Sequence, residues 1–216
     1  MSVLNLEDLP EPDLGPGQVR IKVNATGINF PDILTVEGVY QHKPPLPFIA
    51  GFETAGEVIE VAPGVESVKP GDRVIAGVRP GGFAEQAVVD ATAVLPTPDA
   101  FDDVTAAAFR VAYVTAYHCL FQRGRLRPGE WVLINGATGG VGLAAVEVAK
   151  LHGAKIIATG GDDGKLAVVK DYGADHVINY QQGPFRDQVK AITEGRGVDL
   201  VYDPVGGDVF DQSLRC

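Results

Sequence analysis

The stretch that most constrains the fold is residues 131–161, WVLINGATGGVGLAAVEVAKLHGAKIIATGG. Trp131-Val132-Leu133-Ile134 is a short apolar run, as expected of a strand buried on both faces. A glycine-rich turn follows, and from Val141 onward apolar residues recur at helical spacing: Val141, Ala144, Ala145, Val148 and Leu151. Gly153 is placed to stop that helix, because glycine takes the left-handed conformation without a Cβ clash. Lys155-Ile156-Ile157-Ala158-Thr159 reads as a second buried strand. The unit is βαβ, and its turn fits the dinucleotide fingerprint with alanine at the first glycine position, Ala137-x-Gly139-x-x-Gly142. A diphosphate has to come close to the main chain, where a Cβ at Gly139 would obstruct it. Gly142 allows tight helix packing, and the helix start offers unpaired N–H groups and a positive dipole end.

Composition narrows the partners. A net charge of −10 argues against a broad electrostatic grip on nucleic acid or anionic lipid. Any phosphate site is therefore built locally, from backbone amides and a few basic residues. The two cysteines, Cys119 and Cys216, suggest a reducing, cytoplasmic setting without a disulfide framework. The acidic N-terminal stretch lacks a signal pattern, and no apolar run approaches the ~20 residues that span a bilayer.

Along the chain, residues 1 to about 100 read as turn-punctuated β structure. Strands are expected at 18–24, 54–61, 73–76 and 83–89, with turns at Pro63-Gly64 and Pro70-Gly71-Asp72. From Asp102 the character changes. An acidic-capped helix is expected to start at 102–109 and a second helix to cover 114–124. Helices at 163–172 and 185–193 then alternate with strands at 176–178 and 198–202. The βαβαβαβ alternation predicts an α/β domain with a parallel doubly wound sheet.

Several segments together resemble the zinc-independent medium-chain dehydrogenase/reductases of the quinone oxidoreductase (zeta-crystallin-like) branch. They are GINFPDILTVEGVY (27–40), PLPFIAGFETAGEV (45–58), KPGDRV (69–74), VTAYHCL (114–120), NGATGGVG (135–142), GADHVINY (173–180) and VDLVYDPVGG (198–207). The resemblance implies a GroES-like β domain over residues 1–112 and a partial Rossmann nucleotide domain over 113–216. It also implies an NADPH-dependent oxidoreductase that passes hydride to a quinone or an activated carbon–carbon double bond. The alternatives are an enoyl-thioester reductase of acyl-CoA type and a non-catalytic nucleotide-binding or structural protein.

Where zinc-using relatives place Cys, His and Cys, this chain holds Asn29, Phe52 and Val111, so no zinc is expected. The four histidines are scattered. At the end of the second nucleotide-domain strand stands Gly161, where NAD-specific sites usually carry an acidic residue. Gly161 leaves room for a 2′-phosphate, and Lys165 and Tyr180 resemble phosphate-binding positions, so the expected cofactor is NADPH, with NADH not excluded. Asp162 and Asp163 are a departure: they would repel a phosphate unless turned away, for example as helix caps. Thr138, Gly139, Gly140 and Val141 form the expected diphosphate turn. Asn29, Tyr40 and Thr115 resemble positions facing the nicotinamide between the two domains. Glu53 reads as a buttress where the metal would have been, not as a base, and no catalytic residue is assigned.

Compared with the family pattern, the chain is expected to be truncated at both ends, ending just after the fourth nucleotide-domain strand. The last two strands of a 3-2-1-4-5-6 sheet would be absent and strand 4 left as an open edge. A homodimer is implied only for a chain carrying those strands. The expected partner is a small-molecule quinone or enone.

Overall fold

The computed structural model describes residues 4–216. The chain divides into two compact units, Met1–Val111 and Ala112–Cys216. In the first, the strands are β1 (Gln18–Gly27), which opens on the period-two alternation of residues 18–24, β2 (Glu53–Val61), β3 (Arg73–Gly77), β4 (Gln86–Asp90) and β5 (Val94–Pro96). They form one antiparallel sheet of order β4-β1-β2-β3-β5. Alternate side chains go to opposite faces. Val19, Ile21, Val58, Val74 and Ala76 share one core. Ala55 and Ile75 turn the other way, onto Ala106 and Ala107 of helix α2 (Asp103–Ala107). Asp102 caps that helix by accepting the Thr105 N–H at 2.7 Å.

Two differences from the expected elements have local causes. The strand expected at 83–89 joins the sheet only at Gln86, because the amides of Gly81, Gly82 and Phe83 bond back to the carbonyls of Gly51 and Ala50. A short helix, α1 (Phe30–Val36), occupies a segment for which no element was expected. Its start is fixed by Asn29 at the N-cap, whose N–H donates to Asp32 Oδ2 at 2.7 Å.

In the second unit, β6 (Trp131–Ile134), β7 (Lys155–Gly160), β8 (His176–Asn179) and β9 (Leu200–Tyr202) form a parallel sheet of order β8-β7-β6-β9. Both faces are covered, which is why β6 and the Ile156–Ala158 stretch of β7 are apolar. Val132, Ile134, Ile156 and Ala158 pack with Ala144, Ala145 and Ala149 of α4 (Gly140–Leu151) and Val169 of α5 (Asp163–Asp171). On the opposite face, Leu133 and Ile157 pack with Phe185 and with Val189 of α6 (Arg186–Ile192). A last helix, α7 (Gly207–Ser213), follows β9.

The helix expected over 114–124 begins earlier and changes form. α3 (Arg110–Tyr117) passes into a wider π-helical segment, His118–Arg123. The Gly124 N–H closes that segment on Cys119 O at 2.8 Å, at a position where a Cβ would lie 2.7 Å from Leu200. Among the described residues, no helix is long and apolar enough to cross a membrane.

Candidate functional site

In the second unit, the candidate site is the turn from β6 into α4. Gly136 takes φ +58°, a left-handed conformation that bends the chain as it leaves the strand. The Ala137 N–H still bonds Thr159 O at 2.9 Å, so the turn stays anchored to β7. A Cβ on Gly142 would lie 2.4 Å from Gly136 O, so this glycine is required for α4 to pack against the turn itself. Gly139 and Gly140 differ: they are exposed, and a Cβ on Gly140 would meet nothing within 4 Å. The protein therefore leaves open the space beside the first amides of α4, which have no intrahelical acceptor. Thr138 is half-buried with its methyl group against Gly160, and Val141 lies in the first turn of α4.

Beneath this turn lies a buried polar network that periodicity does not reveal. Thr159 Oγ1 donates to Asn135 Oδ1 at 2.8 Å, Asn135 Nδ2 donates to Ser213 Oγ at 2.8 Å, and Ser213 Oγ donates to Val209 O at 2.8 Å. Asn135 and Thr159 have no exposed surface. The signal available in the sequence was a single polar residue at the end of each apolar run, WVLIN and IIAT. The third member, Ser213, comes from a helix far along the chain.

At the end of β7, Gly161 sits against Tyr180: a Cβ there would lie 3.2–3.3 Å from the Tyr180 ring and hydroxyl. Tyr180 is half-buried, and Lys165 is exposed in the first turn of α5. The two aspartates are both engaged by protein donors. Asp162 is the N-cap of α5 and accepts the Lys165 N–H at 2.8 Å. Asp163 accepts from Asn179 Nδ2 at 2.7 Å and from Gln182 Nε2 at 2.8 Å. Thr115 is exposed on α3.

In the first unit, Asn29 and Glu53 meet. Asn29 Nδ2 donates to Glu53 Oε1 at 2.8 Å, and the Val111 N–H donates to Glu53 Oε2 at 2.8 Å. Glu53 is 1% exposed. Its carboxylate fits because Gly27 has no side chain: a Cβ there would lie 2.4 Å from Oε1. Burial pushes the Glu53 carboxyl above its ordinary value, the N–H groups of Asn29, Val111 and Arg110 pull it back, and the charge of Asp32 adds to the rise. Asp32 is also buried and also raised by burial, with the Asn29, Gly51 and Phe52 amides opposing. Its Oδ1 makes no hydrogen bond of normal geometry among the described residues. Tyr40 packs edge-on against Phe52 with ring centroids 5.8 Å apart.

The side chains of Phe52 and Val111 carry no ligand atom, and Asn29, whose amide nitrogen donates to Glu53, offers only an amide oxygen, a poor zinc ligand. Among the described residues, no group of three or more His, Cys, Asp or Glu side chains is placed to hold a metal ion.

Two family models match the chain: "Alcohol dehydrogenase GroES-like domain" over residues 15–99 and "Zinc-binding dehydrogenase" over 140–216. Quinone oxidoreductase-like protein 2 homolog of Nematostella vectensis is 44% identical over 207 residues, which cover 94% of this chain and 56% of that relative. The chain thus spans little more than half the length of that relative. Among solved structures, the quinone oxidoreductase of Escherichia coli, complexed with NADPH, superposes with a TM-score of 0.91 at 35% identity, covering 97% of this chain and 64% of that one. CurK enoyl reductase superposes with a TM-score of 0.90 at 30% identity, covering 97% and 65%. With its antiparallel GroES-like unit and its parallel nucleotide-type unit in the same order as these proteins, the chain belongs to the medium-chain dehydrogenase/reductase family, of the quinone oxidoreductase type.

Proposed function

We propose that this chain carries the machinery of an NADPH-dependent oxidoreductase that reduces a quinone or an activated carbon–carbon double bond without zinc. The observation that carries the reading is the open cradle at Gly139 and Gly140, set at the start of a twelve-residue helix. Thr138, Gly139, Gly140 and Val141 would hold the diphosphate. Gly161, Lys165 and Tyr180 would receive the adenosine end. A 2′-phosphate is compatible with Asp162 and Asp163, since Asp162 through Oδ1 and Asp163 through both oxygens are held by protein donors. Asn29, Tyr40 and Thr115 would supply polar groups for the ring or for a substrate oxygen.

NADPH, when bound, supplies the hydride. The protein's own part is to hold, orient and stabilise developing negative charge by hydrogen bonds. Quinones and enones are electrophilic already, so neither a Lewis acid nor a strong base is needed. A cytoplasmic setting fits the two free cysteines. The enoyl-thioester alternative is favoured by the likeness to an enoyl reductase.

Titration calorimetry tests the reading better than tryptophan fluorescence, because Trp131 lies at the opposite end of β6 from the turn. Saturable NADPH binding, with oxidation driven by a quinone, is the expected result. Oxidation driven by an acyl-thioester enone and not by a quinone would select the second reading. Binding without turnover of either would mark a non-catalytic nucleotide-binding protein, and a folded chain that binds no NADPH would overturn the proposal.

A further inference from the structure

We infer that Glu53 is a positioning residue: it fixes the orientation of the Asn29 amide, and so decides which hydrogen-bonding group Asn29 turns to the reactants. The inference rests on the functional reading above for its catalytic consequence, but not for its structural content. Glu53 Oε1 accepts from Asn29 Nδ2 and Oε2 from the Val111 backbone N–H, both at 2.8 Å, and the Arg110 backbone N–H also points to this carboxylate. An ionised carboxylate is acceptor-only. It therefore admits the Asn29 amide with its nitrogen inward and rejects the flipped amide, which would set oxygen against oxygen. The Asn29 backbone is held independently, by its N–H bond to Asp32 Oδ2 at 2.7 Å. Backbone and side chain are thus fixed by two different buried carboxylates. Asn29 itself is only half-buried. Gly27 shows how closely the arrangement is fitted, since a methyl group at that position would collide with both Glu53 Oε1 and Ala107 O.

The substitution Glu53→Gln separates this role from simple packing. Glutamine has nearly the same shape but offers one acceptor and one donor, while both neighbouring atoms are donors. Either the Asn29 amide flips to place Oδ1 against the new amide nitrogen, or one bond is lost.

The test has two readouts. In the first, nuclear magnetic resonance of the Asn29 side-chain amide needs neither cofactor nor turnover. The native protein should show one strongly hydrogen-bonded amide proton that shifts in E53Q while the backbone signals of β1 and β2 persist. An E53Q protein in which the Asn29 side-chain amide and the Val111 backbone amide both keep their native signals would overturn the inference. If E53Q fails to fold, Glu53→Asp, which retracts the carboxylate by one methylene, serves for the same measurement.

The second readout is a double-mutant cycle with Asn29→Ala. E53Q should lower kcat by about tenfold to hundredfold, leave NADPH affinity within about twofold, and add almost nothing in the N29A background. Fully additive losses would show that Glu53 does not act through Asn29. A native protein that binds no NADPH would defeat the functional reading alone, and the amide signals would still decide the positioning.

Discussion

Each unit buries a polar device beneath its candidate site, and the two are built from different chemistry. In the second unit, Asn135, Thr159 and Ser213 form a neutral chain of hydrogen bonds under the glycine turn. In the first, Glu53 and Asp32 are buried carboxylates beside Asn29. A neutral network costs little to bury once each donor meets an acceptor. A carboxylate stays costly, and the rise of both carboxyls above their ordinary values records that cost. The comparison teaches that the two units answer different demands. One holds the main chain still around open space, and the other holds a single side-chain amide in one orientation.

The largest expected effect tests the backbone fit of the second unit. Gly142→Val forces side-chain atoms into Gly136 O and Ala137 Cα, and should cost about 3 kcal/mol in chemical denaturation. A variant of native stability would show that the turn yields, and would weaken the contrast drawn above. Next, Asn135→Ala removes the centre of the neutral network and leaves the Thr159 and Ser213 hydroxyls short of a partner. About 2 kcal/mol should be lost, and the loss should be the same at acid and neutral pH because no member titrates.

The smallest effect is a slope, and it sharpens the comparison most. The carboxyl of Glu53 is raised in the folded state, so its contribution is fully present below the ordinary value of 4.5 and is lost as pH rises through the raised one. The stability of the native protein relative to Glu53→Gln should therefore decline from acid toward neutral pH, measured as the difference between their thermal midpoints. A flat difference would mean that Glu53 is not raised and that the two devices do not differ in kind.

The nucleotide-type unit was legible because its signals are local. An apolar run, a glycine turn and a helical period can each be read within a few residues, and β6, α4 and β7 stand where 131–161 placed them. Among the antiparallel strands, β1, β2 and β3 were legible, β4 entered late, and β5 was not expected because three residues are too few to show a period. α1 escaped because Phe30–Val36 lacks a long apolar period and depends on the reciprocal bonds between Asn29 and Asp32. The π-helical segment escaped because helical spacing over 114–124 does not distinguish a wider turn from an ordinary one.

By itself the sequence determined the strand–turn–helix order, the glycines at the turn and the poor zinc-donor set of Asn29, Phe52 and Val111. These follow from residue type and from spacing within one element. Tertiary structure alone decided that Glu53 would grip Asn29 and Val111, that Asp163 would be tied to Asn179 and Gln182, and that Ser213 would reach Asn135. Each of these contacts joins residues far apart in the chain. A hydrogen bond specifies a distance and a direction in space, and a one-dimensional pattern contains neither.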